Sequence, residues 1–138
     1  MPITADSDIR EILTLNSIAV VGCSSTPGKA AHEIPKYLQE QGYNVVPINP
    51  NVEAVLGRPA YDSLSDVHET IDIVDVFRPS HEVADIVEAV IARDDVTVVW
   101  LQLGIHDEDA VAKVEAAGRR VVQDRCMKSE HQRLIGLA

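Results

Sequence analysis

The chain has 138 residues, 46% of them apolar, with 12 Lys and Arg against 22 Asp and Glu and a formal net charge of −10. That length suits one domain, here residues 1–138, with a core that needs no disulfides. The acidic balance argues against nucleic acid or an anionic membrane as partner, since either would need a basic face. No apolar stretch approaches the roughly 20 residues of a membrane span, and the first eight residues lack signal-peptide anatomy, so a cytoplasmic protein is expected.

Asp6 or Ser7 is predicted to cap a short first helix with Ile9, Ile12, Leu13 and Leu15 on its apolar side. A first strand over Ser17–Val21 ends at Gly22, and a small, hydroxyl-rich loop with Cys23, Ser24, Ser25, Gly28 and Lys29 leads to a helix over His32–Gln41. Pro35 is tolerable there only near the first turn, and Gly42 suits the residue after the helix. A second strand, Tyr43–Ile48, stops at Asn49-Pro50-Asn51. A loop with a short helix follows and contains Gly57-Arg58-Pro59 and Tyr61–Leu64.

The third strand, Ile71–Phe77, precedes a helix over Ser80–Ala92, capped by Ser80, with Val83, Ile86, Val87 and Val90 inward. The fourth strand is Val96–Leu101, followed by Gln102–His106, a helix over Asp107–Ala117 and Gly118. The fifth strand is Arg120–Val122, and a last helix covers Ser129–Leu134. This alternation predicts an α/β fold: a Rossmann-like, doubly wound parallel sheet of about five strands with helices on both faces.

Ligands of such sheets bind beyond the carboxyl ends of the strands. The segments there are Gly22–Lys29, Asn49–Asn51, Phe77-Arg78-Pro79 and Gln102–Gly104, and the topology brings all four to one rim. A strand that delivers a glycine-bearing loop to a helix start points to an anionic ligand, through backbone N–H groups and the helix dipole. The loop is not a Walker loop: five residues, not four, separate Gly22 from Gly28, and Ala30 stands where Ser or Thr would hold magnesium. Nor is it the dinucleotide fingerprint, because Ser24 replaces the second glycine. The acid expected after the second strand is absent too, with Asn49-Pro50-Asn51 in its place. A ribose bearing a 3′-phosphate would not tolerate that acid; the other reading of Asn-Pro is a simple turn.

Lys29 reads either as a phosphate ligand or as a solvated lysine. Arg78 leaves a buried strand between Phe77 and Pro79, a position that favours ligand contact over an ion pair with a neighbouring acid. Gln102 faces a ligand amide or a neighbouring loop. Cys23 is either a nucleophile activated by the helix start or a small residue facing the sheet; Cys126 reads as a packed thiol. The five histidines lack metal-ligand spacing, and no catalytic constellation is visible.

Six segments carry a family resemblance. They are Ile18-Ala19-Val20-Val21-Gly22-x-Ser24, Gly42-Tyr43-x-Val45-x-Pro47-x-Asn49-Pro50, Gly57 with Tyr61-x-Ser63-Leu64, Asp75-Val76-Phe77-Arg78-Pro79, Val99-Trp100-Leu101-Gln102-Leu103-Gly104-Ile105, and Asp124-Arg125-Cys126-x-Lys128-x-Glu130-His131. Together they resemble the CoA-binding domain family of small stand-alone proteins, similar in fold to the N-terminal domain of the succinyl-CoA synthetase alpha subunit. The resemblance implies coenzyme A or an acyl-CoA across the strand ends, with Gly22–Ser25 at the pyrophosphate or pantetheine and Asn49-Pro50-Asn51 beside the adenosine. Phe77-Arg78-Pro79 and Leu101-Gln102, with Gly104, line the rest. Related domains often carry a lysine after the Asn-Pro; here Asn51 and Val52 stand there, so Lys29 or Arg58 substitutes or the 3′-phosphate is held less well. The synthetase's catalytic half has no counterpart here, and a binding module is expected, with a homo-oligomer or an enzyme partner left open. The competing readings are a nicotinamide-dependent oxidoreductase and a CoA-disulfide thiol role for Cys23 or Cys126.

Overall fold

The computed structural model describes residues 1–136; the last two positions of the expected domain lie outside them. In chain order the elements are α1 (Asp6–Ile12), β1 (Ser17–Val21), α2 (Ala30–Glu40), β2 (Asn44–Ile48), β3 (Ala54–Val55) and β4 (Arg58–Pro59). After a 3-10 turn at Leu64–Asp66 come β5 (Ile73–Val76), a second such turn at Ser80–Glu82, α3 (Val83–Ile91), β6 (Val98–Leu101), α4 (Glu108–Ala116), β7 (Arg120–Val122) and α5 (Met127–Leu134).

Five strands form one parallel sheet in the order β2-β1-β5-β6-β7, the doubly wound α/β arrangement the alternation predicts. Both faces are covered, which is why the strands are apolar on both sides. Ala19, Val46, Val74, Val76, Val99 and Leu101 pack with Val83, Val87 and Val90 of α3 and Val111 and Val114 of α4. Ile18, Val20, Ile73, Val98 and Trp100 pack with Ile9 and Ile12 of α1, Leu38 of α2 and Met127 of α5. No helix among the described residues is long and apolar enough to cross a membrane.

Several boundaries differ from expectation for identifiable reasons. Helix α1 has Ala5 at its N-cap and no side-chain cap, so neither Asp6 nor Ser7 plays that part. Helix α2 starts two residues early, at Ala30, which puts Pro35 in its second turn. Proline cannot donate to the Ala31 carbonyl one turn back; the Ser24 N–H takes that carbonyl instead, at 2.9 Å. The helix defect thus ties down the loop after β1. Ser80 does not cap α3, whose N-cap is Glu82; its Oγ accepts from the His106 N–H at 3.2 Å and joins the loops after β5 and β6. Asp107 does cap α4, accepting from the Ala110 N–H at 3.0 Å.

Candidate functional site

The chain runs from β1 outward to β2 and then returns to β5 on the other side of β1, so the crevice between the ends of β1 and β5 is the switch point where such sheets bind ligands. Gly22 sits there with φ +86°, a conformation that favours glycine. A Cβ on Gly22 would stand 2.8 Å from Arg78 Cδ and 3.3 Å from the Phe77 carbonyl. The absence of a side chain therefore lets the loop after β5 lie against the loop after β1. Gly22→Ala is expected to cost about 1–3 kcal/mol of stability through backbone strain and to displace Arg78. Urea unfolding measures the first effect and ligand affinity the second.

Beyond these strand ends opens a cleft of about 620 Å³. Gly22, Ser24 and Lys29 line it from the first loop, Ala31 from the start of α2, Asn49, Pro50 and Asn51 from the second loop, and Phe77 and Arg78 from the third. Its apolar wall comes from Val21, Ile48, Leu64, Ile86 and Ala89. Asn49 joins the first two loops: its Nδ2 donates to the Cys23 carbonyl at 2.9 Å and its Oδ1 accepts from the Asn51 N–H at 2.8 Å. Ala30 and Ala31, in the first turn of α2, have N–H groups without an intrahelical acceptor and are the backbone donors this helix start can offer an anion.

Two cations and three carboxylates line the cleft: Lys29 and Arg78 against Asp62, Glu82 and Asp85. Arg78 is held bidentately by Glu82, Nε to Oε1 at 3.1 Å and Nη2 to Oε2 at 2.7 Å. Those bonds keep the Glu82 carboxyl below the ordinary carboxylate range. An incoming anion must therefore compete with Glu82 for the guanidinium. Glu82 follows Arg78 by four residues, but Arg78 lies before the Ser80–Glu82 turn, so it is the bend at Phe77-Arg78-Pro79 that brings the two together. Asp62, Ser65 and Asp85 carried no signal, because in the sequence none of them directly follows a strand of the five-stranded sheet.

The other candidates lie elsewhere. Ser25 and Pro79 are exposed and outside the cleft lining. Leu101 is core. Gly104 donates its N–H to Asp124 Oδ1 at 2.6 Å, outside the cleft. Gln102 is buried and fully engaged, its Nε2 donating to Asp75 Oδ1 at 2.6 Å and its Oε1 accepting from the Met127 N–H at 3.3 Å. Arg58 is carried to the amino end of β2 by the β3–β4 hairpin, where it bonds Asn44 and pairs with Glu69 at 3.0 Å. A second cavity, of about 550 Å³, opens at that amino edge. Its arginines are occupied, Arg93 by Asp95 and the carbonyls of Leu64, Val67 and Glu69, and Arg119 by carbonyls at the end of α3.

Cys23 is completely buried in the apolar layer under α1, α2 and α5. Burial, with the Asp75 charge nearby, pushes its thiol up to about 12, so the activated-nucleophile reading of Cys23 fails. A thiol reagent at neutral pH is expected to modify half-buried Cys126 and to spare Cys23 until the protein unfolds, which intact mass with and without denaturant will show.

A family model described as a CoA binding domain matches residues 16–132. YneT of Bacillus subtilis (strain 168), an uncharacterized protein, is 37% identical over 126 residues, covering 91% of this chain and 93% of YneT. The ADP-forming acetate–CoA ligase of Methanocaldococcus jannaschii is 31% identical over 83 residues; the match takes in 60% of this chain and only 12% of the ligase. A hypothetical protein from Pyrococcus horikoshii OT3 superposes with a TM-score of 0.92 at 42% identity, over 99% of this chain and 97% of that one.

Proposed function

Because the chain belongs to the CoA-binding domain family, we propose that it binds coenzyme A or an acyl-CoA at the carboxyl ends of β1, β2 and β5, as a cytoplasmic single-domain module without chemistry of its own. The observation that carries this reading is the side-chain-free approach at Gly22, which sets Arg78 against the first loop at the switch point. The residues present fit most of the ligand. Lys29, Arg78 and the first turn of α2 suit a pyrophosphate. Ile48, Leu64, Ile86 and Ala89 offer an apolar wall to an adenine. The volume lies within the range of small-molecule sites.

Ligase activity is not part of the proposal, since the shared region is a small part of the acetate–CoA ligase. Nicotinamide chemistry has little support: the first loop lacks the second glycine of the dinucleotide fingerprint. Isothermal titration with CoA, NAD and ADP tests the reading. CoA is expected to bind most tightly. Tighter binding of NAD, or no binding of CoA, would overturn it.

A further inference from the structure

The charges of the cleft are unevenly placed: Arg78 is paired with Glu82 beside Asp85, Lys29 stands at the start of α2, and further carboxylates stand beside the end of β2. The sheet order sets the end of β2 two strands from the end of β5, roughly 10 Å across the sheet. Arg78 stands at the β5 side. Around Asn51, at the β2 side, stand two carboxylates: Asp62 lines the main cleft, and Asp62 and Glu53 both line a shallow cavity that adjoins it at Pro50 and Asn51. Asp62 and Glu53 are exposed, and among the described residues neither side chain makes an ion pair. Arg58, the nearest arginine in sequence, is turned to the opposite end of β2 and neutralised by Glu69.

In nucleotide-binding sheets of this kind the residues beyond β2 meet the ribose, and a carboxylate there accepts hydrogen bonds from free ribose hydroxyls and repels a phosphate on them. The chain lacks that acid directly after β2 but brings one to the same end from the segment after β4. Resting on the CoA reading above, we infer that Asp62 makes this cleft select an unphosphorylated ribose, so that dephospho-CoA is a better ligand than CoA itself. The pyrophosphate and pantetheine are shared by both ligands; the 3′-phosphate is the only difference, and it meets carboxylates.

Titrating the wild-type chain with CoA and dephospho-CoA at low salt tests this, with Asp62→Asn and Asn51→Lys as variants. Dephospho-CoA is expected to bind about three- to tenfold more tightly, with the ratio shrinking as salt screens the repulsion. Asp62→Asn is expected to tighten CoA and to weaken dephospho-CoA, which loses its acceptor. Asn51→Lys, which sets a cation among the carboxylates, is expected to reverse the preference. CoA binding as tightly as dephospho-CoA or more so, or a ratio that Asp62→Asn leaves unchanged, would overturn the inference and leave the CoA reading standing. Binding of neither ligand would overturn both.

Discussion

Replacing Arg78 by alanine is expected to weaken CoA binding roughly ten- to hundredfold while changing stability by less than about 1 kcal/mol. The asymmetry follows from where the residue sits. Its side chain is 47% exposed and its partner Glu82 is 37% exposed, so their ion pair contributes little to folding. Toward a ligand, the same guanidinium is a two-pronged donor at the switch point, with its aliphatic stem against Gly22. Arg78→Lys should recover only part of the lost affinity, since an ammonium cannot supply Nε and Nη2 together. Glu82→Gln should move affinity the other way by a few-fold, because the neutral amide competes less for Arg78. Calorimetric titration of the three variants beside thermal unfolding separates binding from stability. Equal loss of both in Arg78→Ala would make the residue structural.

The second large effect belongs to Asp75. This carboxyl is completely buried on β5, opposite Val20 of β1 and Trp100 of β6, with Oδ1 accepting from Gln102 and Oδ2 without a partner among the described residues. Burial raises its pKa to about 7 from 3.8, against the opposing pull of the Gln102 hydrogen bond. Between those values the folded chain holds a proton that the unfolded chain has lost. The stability this proton confers is full below 3.8, falls as pH rises and is gone above about 7, with an upper size of about 4 kcal/mol. Asp95 works oppositely and in a different window. Its hydrogen bonds from Arg93 lower it to about 2, so its contribution is lost as pH falls from 3.8 toward 2. Asp75→Asn should remove the first dependence alone. Its urea-unfolding free energy should change less than the wild type's between pH 4 and 8, and at pH 8 should equal or exceed it. An unchanged pH slope would show that Asp75 is ionised throughout.

The sheet was legible because its strands are apolar on both faces: Ile18–Val21, Val45–Ile48 and Val98–Leu101 read as buried runs whichever way they face. The β3–β4 hairpin was not legible. Two-residue strands carry no periodicity, and the turn uses Leu56 at φ +53° before Gly57 at φ +76°, without an Asn-Gly or Asp-Gly signal. That hairpin misdirected the site: Arg58, a candidate cation for the 3′-phosphate beside Asn49–Asn51, is carried by the backbone to the far end of β2. Gln102 misled for another reason. An amide interrupting an apolar run signals a polar partner, and the partner is a buried carboxyl and a helix start, not the cleft. Loops directly after β1, β2 and β5 were findable from the fold rule. The α3 side and the Asp62–Ser65 wall needed the packing of elements that no spacing encodes.

Backbone amide chemical-shift mapping with CoA locates the ligand at one end of the sheet or the other. The amides of Gly22, Ser24, Lys29, Asn49, Asn51 and Arg78 are expected to move with saturating, concordant titration curves, while those of Arg58, Arg93 and Arg119 at the amino edge stay in place. Saturating shifts centred on the amino-edge cavity around His68, Arg93 and Arg119, or no shifts at millimolar CoA, would contradict CoA binding at the carboxyl ends of β1, β2 and β5.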